Sequence, residues 1–333
     1  MPISLESPLP VAQLREALDA AWWRRDHAGL GVETTAYRVV HRQFDALAGL
    51  TIDRLGDVAW VVYRNAGYAA SEAVEATVAA LRPHGIERFV WRYDRPGNQG
   101  DDPYESEANA EQTLQRLGVG FNAETTIATE SGLRYEFASD RGLSHGLFFD
   151  MRDVRRDLRE RWSGRRVLNL FAYTCGFGVA LSPHNTVVNV DVTKRYLEWG
   201  KRNFALNEMD APATGFVAKD AFSYLEVAAK LGNRFDAIVL DPPTFSHGKK
   251  GKARRFSIPS DLGELMALAL GALNPNGELF VGTNAAQLAR DSFSRLCRDR
   301  ASHVGRRVVQ TWRPAPDFPV SPSEYHLKTA LIA

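Results

Sequence analysis

The stretch Phe235-Asp-Ala-Ile-Val-Leu-Asp241-Pro242-Pro243-Thr-Phe245-Ser ends an apolar, β-rich run in an acid, two prolines and an aromatic. Consecutive prolines remove two backbone donors and fix φ, so the turn is rigid and leaves the Asp241 carboxylate and nearby carbonyls as acceptors. Phe245 adds a face on which a planar base can stack. Acceptors beside a ring suit an amine- or lactam-bearing heterocycle that receives a methyl group in line. Directly behind comes His247-Gly-Lys-Lys-Gly-Lys-Ala-Arg-Arg-Phe256, whose five cations are Lys249, Lys250, Lys252, Arg254 and Arg255. Standing alone, such a run is most simply a solvated face. Beside a base-stacking turn it is better read as a loop that grips RNA phosphates.

Three other segments leave apolar runs in the same way. In Asn169-Leu-Phe171-Ala172-Tyr173-Thr174-Cys-Gly176-Phe177-Gly178 the glycines are expected to let the backbone turn sharply and approach a ligand. The plain alternative is a strand-to-helix turn without one. Asp191-Val192 follows about 20 residues on, where a carboxylate can accept both hydroxyls of a ribose. Asp220-Ala221-Phe222 could accept an adenine amine and cover its ring. Either acid could instead cap the helix that follows it.

Ligands of an open parallel sheet bind outside the carboxyl ends of its strands. From Arg165 onward, RRVLNLF, TVVNVDV, TGFVAKD, FDAIVLD and GELFVGTN alternate with helical stretches, which implies parallel strands with right-handed crossovers. GRRVVQTWRP and YHLKTALIA then follow with only a Pro-rich loop between them, most simply an antiparallel pair. The expected fold is α/β: a doubly wound sheet of five parallel strands plus a terminal antiparallel hairpin, as in class I methyltransferases. Upstream, a helix over 10–25, two strand-like runs, a helix near 71–85 and a further strand predict a small α+β domain. Asp94 to Gln112 is rich in Pro, Gly, Asn and acid and reads as a loop or linker. The expected division is 1–125 and 126–333.

Charge divides along the same line. Residues 1–125 hold 12 arginines, no lysine and 18 acids, a net of −6, and the remainder nets +7. A polyanion would be drawn to the C-terminal part. Two cysteines in 333 residues, no long apolar run and no basic-then-apolar start are the usage expected of a cytoplasmic protein that does not enter a membrane. The eight histidines show no metal-ligand spacing and G-x-S-x-G is absent, so neither a metal nor a hydrolase elbow is expected.

Taken together, the strand exits resemble class I S-adenosylmethionine-dependent methyltransferases. More narrowly, the chain is similar to the bacterial 23S rRNA methyltransferase family that includes a cytosine-C5 enzyme and a guanine-N7 methyltransferase module. The likeness rests on Gly49-Leu-Thr-Ile-Asp-Arg-Leu-Gly-Asp57, Gly146-Leu-Phe-Phe-Asp-Met-Arg-Asp153, Phe171 to Phe177 and Asp241-Pro-Pro-Thr-Phe245. It implies S-adenosyl-L-methionine as cofactor, with Phe171, Tyr173, Thr174, Gly176 and Phe177 along its methionine and ribose. It further implies Asp191 at the ribose, Asp220 at the adenine, Asp241 to Pro243 at the methyl-transfer mouth, and Phe149 to Arg152 closing over the cofactor. Met151 stands where the family has Gln. The family's N-terminal PUA domain is expected to be missing, because the likeness begins near Thr34. The acidic domain would then shape the cleft or form a homodimer contact.

The family's cytosine-C5 members add a cysteine thiolate to the base from the exit of the fifth strand. Here that exit reads Val281-Gly-Thr-Asn284-Ala-Ala-Gln287. Asn284 resembles the guanine-directed relative, and its amide can both donate to and accept from a purine edge. A guanine nitrogen on 23S rRNA is therefore the expected methyl acceptor, with cytosine C5 as the alternative. From other classes, a nucleotide-dependent oxidoreductase or a non-catalytic RNA-binding factor remains to be distinguished.

Overall fold

Strand residues such as Val167, Leu168 and Leu170, or Ala237 to Leu240, are almost uninterruptedly apolar, so both faces of their sheet need cover. The computed structural model describes residues 9–94, 103–121, 125–138, 144–212, 215–246, 256–320 and 327–333. The chain forms two compact units, Met1–Asp150 with Ala315–Val320, and Met151–Pro314 with Ser321–Ala333.

In the first unit, β1 (Ala36–His41), β2 (Leu50–Leu55), β3 (Val58–Tyr63), β4 (Arg88–Tyr93) and β5 (Gly120–Phe121) form a sheet in that order. The first three are antiparallel, and β4 and β5 join in parallel. Residues of α1 (Val11–His27), α2 (Ser71–Leu81) and α3 (Pro103–Arg116) share one core with strand residues such as Ile52, Val61 and Trp91.

Helix α3 corrects the expected linker over 94–112. Ala110, Thr113 and Leu114 are buried and Leu117 is partly so, a narrow helical stripe that the polar composition masked. β6 (Thr125–Glu130) and β7 (Leu133–Ala138) make a hairpin that goes with this unit, not with the C-terminal part as expected. Thr35 N donates to Thr129 O at 2.9 Å and Ser131 N to Thr34 Oγ1 at 3.0 Å. Trp22 on α1 is in the core, whereas its neighbour Trp23 is 59% exposed and stacks on His27.

In the second unit, α4 (Arg152–Arg161) precedes β8 (Arg166–Leu170), α5 (Gly176–Leu181), β9 (Thr186–Asp191), α6 (Lys194–Leu206), β10 (Phe216–Ala218), α7 (Ala221–Lys230) and β11 (Phe235–Leu240). A two-stranded ribbon of β12 (Phe245–Ser246) and β13 (Phe256–Ser257) leads into α8 (Ile258–Gly271), β14 (Leu273–Thr283), α9 (Arg290–Ser302), β15 (Val308–Gln310) and β16 (Lys328–Ile332).

The seven-stranded order is β10-β9-β8-β11-β14-β16-β15. The first five strands are parallel, and β16 lies between β14 and β15 antiparallel to both, which gives the terminal antiparallel pair expected from the sequence. Leu168, Ile238, Leu240, Leu279 and Val281 face the core beneath α7, α8 and α9. The alternate residues Val167, Ala237, Val239 and Phe280 join Leu158 and Trp162 in the core on the opposite face.

Candidate functional site

Parallel strands end at one edge, so the exits of β8, β9, β10, β11 and β14 gather there by topology alone. After β8 the backbone at Phe171, Tyr173 and Cys175 is left-handed, with φ of 58°, 50° and 61°. Side-chain-bearing residues in that region cost on the order of 1–3 kcal/mol each and persist only where their surroundings dictate it. Gly176 and Gly178, expected to make this turn, lie inside α5 instead.

The neighbouring exits hold the turn. Asp191 Oδ2 accepts the Tyr173 N–H at 2.9 Å and Asp191 Oδ1 the Thr193 N–H at 2.8 Å. Ala172 N donates to Val190 O at 3.0 Å, and Asn203 Nδ2 to the carbonyl of Thr174 at 3.0 Å. Beneath it, Asn169 Nδ2 donates to Asn189 Oδ1 at 2.9 Å, and both amides are buried. Asn189, Asn203 and Gly200, which packs against the Cys175 thiol, were not singled out from the sequence. An asparagine in a strand or helix core carries no local pattern, and its partners come from other elements.

Burial pushes the Asp191 carboxyl above its ordinary range despite the two N–H donors. Each carboxylate oxygen has a second lone pair, so Asp191 can brace the turn and still receive a diol. Asp191 is partly buried and Val192 is 49% exposed. Asp220 caps α7, accepting from Ser223 N at 3.2 Å, while Ala221 and Phe222 are buried. Phe171 and Phe222 both flank Phe256, with ring centroids 5.6 and 6.2 Å away.

At the β11 exit, Asp241 is partly buried, Pro242 buried and Pro243 exposed. The neighbouring β14 approaches closely. A Cβ on Gly282 would stand 2.7 Å from Met151 Cε and 3.1 Å from Asp241 Oδ1. Met151, where the resembled family has a polar Gln, therefore abuts the same glycine as the candidate catalytic acid. Phe177 packs in that core, with the Arg155 guanidinium 5.6 Å from its ring. Arg152 is buried with Nε 4.0 Å from Asp153. Phe149 belongs to the first unit, stacked on His145 at 5.0 Å.

Phe245 pairs its backbone with Ser257 in the β12–β13 ribbon, which joins the two ends of the basic segment. The Phe245 ring, and Lys249, Lys250, Lys252, Arg254 and Arg255 entirely, lie outside the described residues.

Asn284 is exposed after β14, between buried Thr283 and Ala285. Both cysteines are buried. Desolvation, with Asp191 nearby, raises the Cys175 thiol well above its usual range, and burial pushes Cys297 up to about 12. Along α9, Arg290, Arg295 and Arg298 are exposed, whereas Arg306 is occupied by the carbonyls of Asn274, Pro275 and Gly277. Among the described residues no three His, Cys, Asp or Glu side chains could together hold a metal, and no helix is long and apolar enough to cross a membrane.

Residues 111–332 match the family described as S-adenosylmethionine-dependent methyltransferase. The chain is 31% identical over 311 residues to a ribosomal RNA large subunit methyltransferase I of Erwinia tasmaniensis, covering 91% of this chain and 75% of that one. It is 30% identical over 310 residues to the protein of the same name from Tolumonas auensis, covering 90% and 75%. Among solved structures it is similar to SMU.776, a methyltransferase complexed with SAH, with a TM-score of 0.81 and 25% identity over 98% of this chain and 82% of that one.

These matches set aside the oxidoreductase and non-catalytic alternatives. They agree with the mostly parallel α/β sheet described above. The chain belongs to the S-adenosylmethionine-dependent methyltransferase family and is an enzyme that uses that cofactor.

Proposed function

We propose that this methyltransferase acts on a base of large-subunit ribosomal RNA and that the methyl acceptor is a guanine nitrogen. The substrate class is supported by the names of its relatives and by the net positive charge of residues 126–333. One observation carries the choice of nitrogen: the exit of β14 bears an exposed Asn284, while the only two thiols of the chain are buried and their pKa values raised. Methylating cytosine C5 needs a thiolate to add to the ring first, and burial disfavours a thiolate at either position. A nitrogen has its own lone pair and needs no covalent adduct.

When bound, S-adenosylmethionine supplies a methyl group on a positively charged sulfur. The chain's part is then orientation and exclusion of water. Asp241 accepts a hydrogen bond from an N–H of the base, which raises electron density on the neighbouring nitrogen. Pro242 and Pro243 keep that carboxylate from swinging away. Asn284 reads the purine edge, and the ring of Phe245 stacks on the base. The Lys249 to Arg255 segment holds phosphates on either side.

Mass spectrometry of ribosomal RNA nucleosides from cells with and without the gene tests this reading. The expected result is loss of one methylguanosine from large-subunit RNA, restored by the wild-type gene and not by Asp241→Ala. Loss of 5-methylcytidine instead would overturn the nitrogen assignment, and an unchanged nucleoside profile would overturn the ribosomal one.

A further inference from the structure

Lys328 opens β16 directly opposite Thr283, the last residue of β14. Paired residues of an antiparallel ladder project to one face, and these two side chains close on a single residue. Thr283 Oγ1 accepts the amide N–H of Ala285 at 3.2 Å, and Lys328 Nζ donates to the carbonyl of Ala285 at 3.0 Å. Thr283 and Ala285 are inaccessible and Lys328 is 3% exposed, whereas Asn284 between them faces solvent.

An ammonium kept from water is costly, and an apolar side chain would fill the same space without that cost. Burial, with Arg290 as neighbour, pushes Lys328 down to about 8. This lysine gives the Ala285 carbonyl a donor, which an apolar residue could not do. Ala285 is the residue directly after Asn284. Gly282, two residues before Asn284, is in turn the residue that Asp241 approaches.

We infer that Lys328 is a positioning residue for methyl transfer: with Thr283 it pins both ends of Ala285, so that Asn284 meets the accepting base at a fixed place beside Asp241. The inference rests on the assignment of Asn284 to the base edge made above. Lys328 touches neither base nor cofactor in this role and acts through Asn284. Without Lys328, Thr283 would fix the amide end and the carbonyl end would keep only the longer bond from Leu288 N, at 3.3 Å.

The test is a double-mutant cycle on large-subunit RNA using Lys328→Met, Lys328→Arg, Asn284→Ala and the combination of Lys328→Met with Asn284→Ala, with S-adenosylhomocysteine affinity measured on each. Lys328→Met should lower kcat about tenfold with cofactor Kd within twofold. Lys328→Arg, which keeps a donor, should recover most of that loss. In the Asn284→Ala background, Lys328→Met should cost less than a further twofold. Fully additive losses, a parallel loss of cofactor affinity, or an unchanged kcat in Lys328→Met would each overturn the inference. So would an Asn284→Ala variant of full activity.

A readout that needs no RNA separates this from the substrate assignment. Hydrogen exchange of the Ala285 amide should quicken at least tenfold in Lys328→Met while the amides of β11 keep their protection. Unchanged exchange at Ala285 would overturn the clamp even where RNA is methylated. If Lys328→Met fails to fold, Lys328→Gln carries the same cycle, because its shorter amide does not reach as the ammonium does.

Discussion

The side-chain oxygen of Asn189 occupies the space that a Cβ on Gly178 would need. The same Asn189 takes the Asn169 amide and gives its own to the Gly215 carbonyl, so a glycine in α5 is required by a buried amide chain running through β8 and β9. This glycine is needed for close approach, not for a left-handed turn.

Gly178→Ala should therefore destabilise the protein by about 1–3 kcal/mol, the usual cost of overpacking, and weaken cofactor binding by displacing the Phe171–Cys175 turn. Urea unfolding and S-adenosylhomocysteine calorimetry check both effects. A neutral outcome in both would mean that Asn189 moves without cost.

Asp191→Ala removes the acceptor of two backbone N–H groups and of the expected ribose hydroxyls. Hydrogen bonds to a charged group are worth about 1.5–3 kcal/mol each, so cofactor affinity should fall by roughly ten- to a hundredfold. Isothermal titration with S-adenosylhomocysteine measures it. An affinity within twofold of wild type would remove Asp191 from the cofactor site.

Replacing both thiols should leave the chemistry intact. A Cys175→Ala, Cys297→Ala double variant should keep kcat within about threefold while losing roughly 1–3 kcal/mol of stability, the scale of modest core truncations. Abolished turnover in a folded variant would point to a thiolate and hence to carbon.

Acidification should loosen the first unit before its held-down aspartates Asp45 and Asp53 titrate. Burial, then Arg38 and Arg42, push His41 down to about 4, and Arg38 Nη1 lies 3.2 Å from its Nδ1, which can only accept there. A histidine whose folded pKa lies below the unfolded 6.5 contributes stability that is complete above pH 6.5 and lost as pH falls toward 4. His84, also lowered by burial, adds to this window. Asp45 and Asp53 are held down beside Arg25 and Arg38, so their contributions are lost only below the ordinary aspartate range. NMR titration of His41 and pH-dependent unfolding of His41→Gln check this. A native His41 midpoint near 6.5 would refute it.

Deleting residues 249–255 should raise KM for RNA and flatten its dependence on salt, with cofactor affinity unchanged. Each phosphate that is no longer neutralised takes about 0.7–0.9 off the slope of log affinity against log salt. Turnover assays at several salt concentrations measure it, and an unaltered slope would leave these cations as a solvated face.

The parallel sheet, its terminal antiparallel pair and the acids at its strand exits were legible in the order of residues. Period, apolar run length and punctuation by Pro or Gly are local quantities that a strand imposes on its own segment. Asp191 and Asp241 stand out for the same reason, since each closes an apolar run. Helix α3 was less legible, because its stripe of Ala110, Thr113, Leu114 and Leu117 is diluted by acid.

Partners distant along the chain were not legible at all. Asn189 beneath Gly178, Met151 against Gly282, and Lys328 on the carbonyl of Ala285 each join elements that meet only when the sheet assembles. The loop after β15 behaves likewise. Its residues Ala315–Val320 join the first unit, where Asp317 accepts the Arg38 N–H at 3.0 Å and Phe318 lies under the Arg38 guanidinium. Local spacing prescribes what a segment can become, whereas the identity of the group that satisfies a buried amide, carbonyl or cation depends on which strands lie side by side.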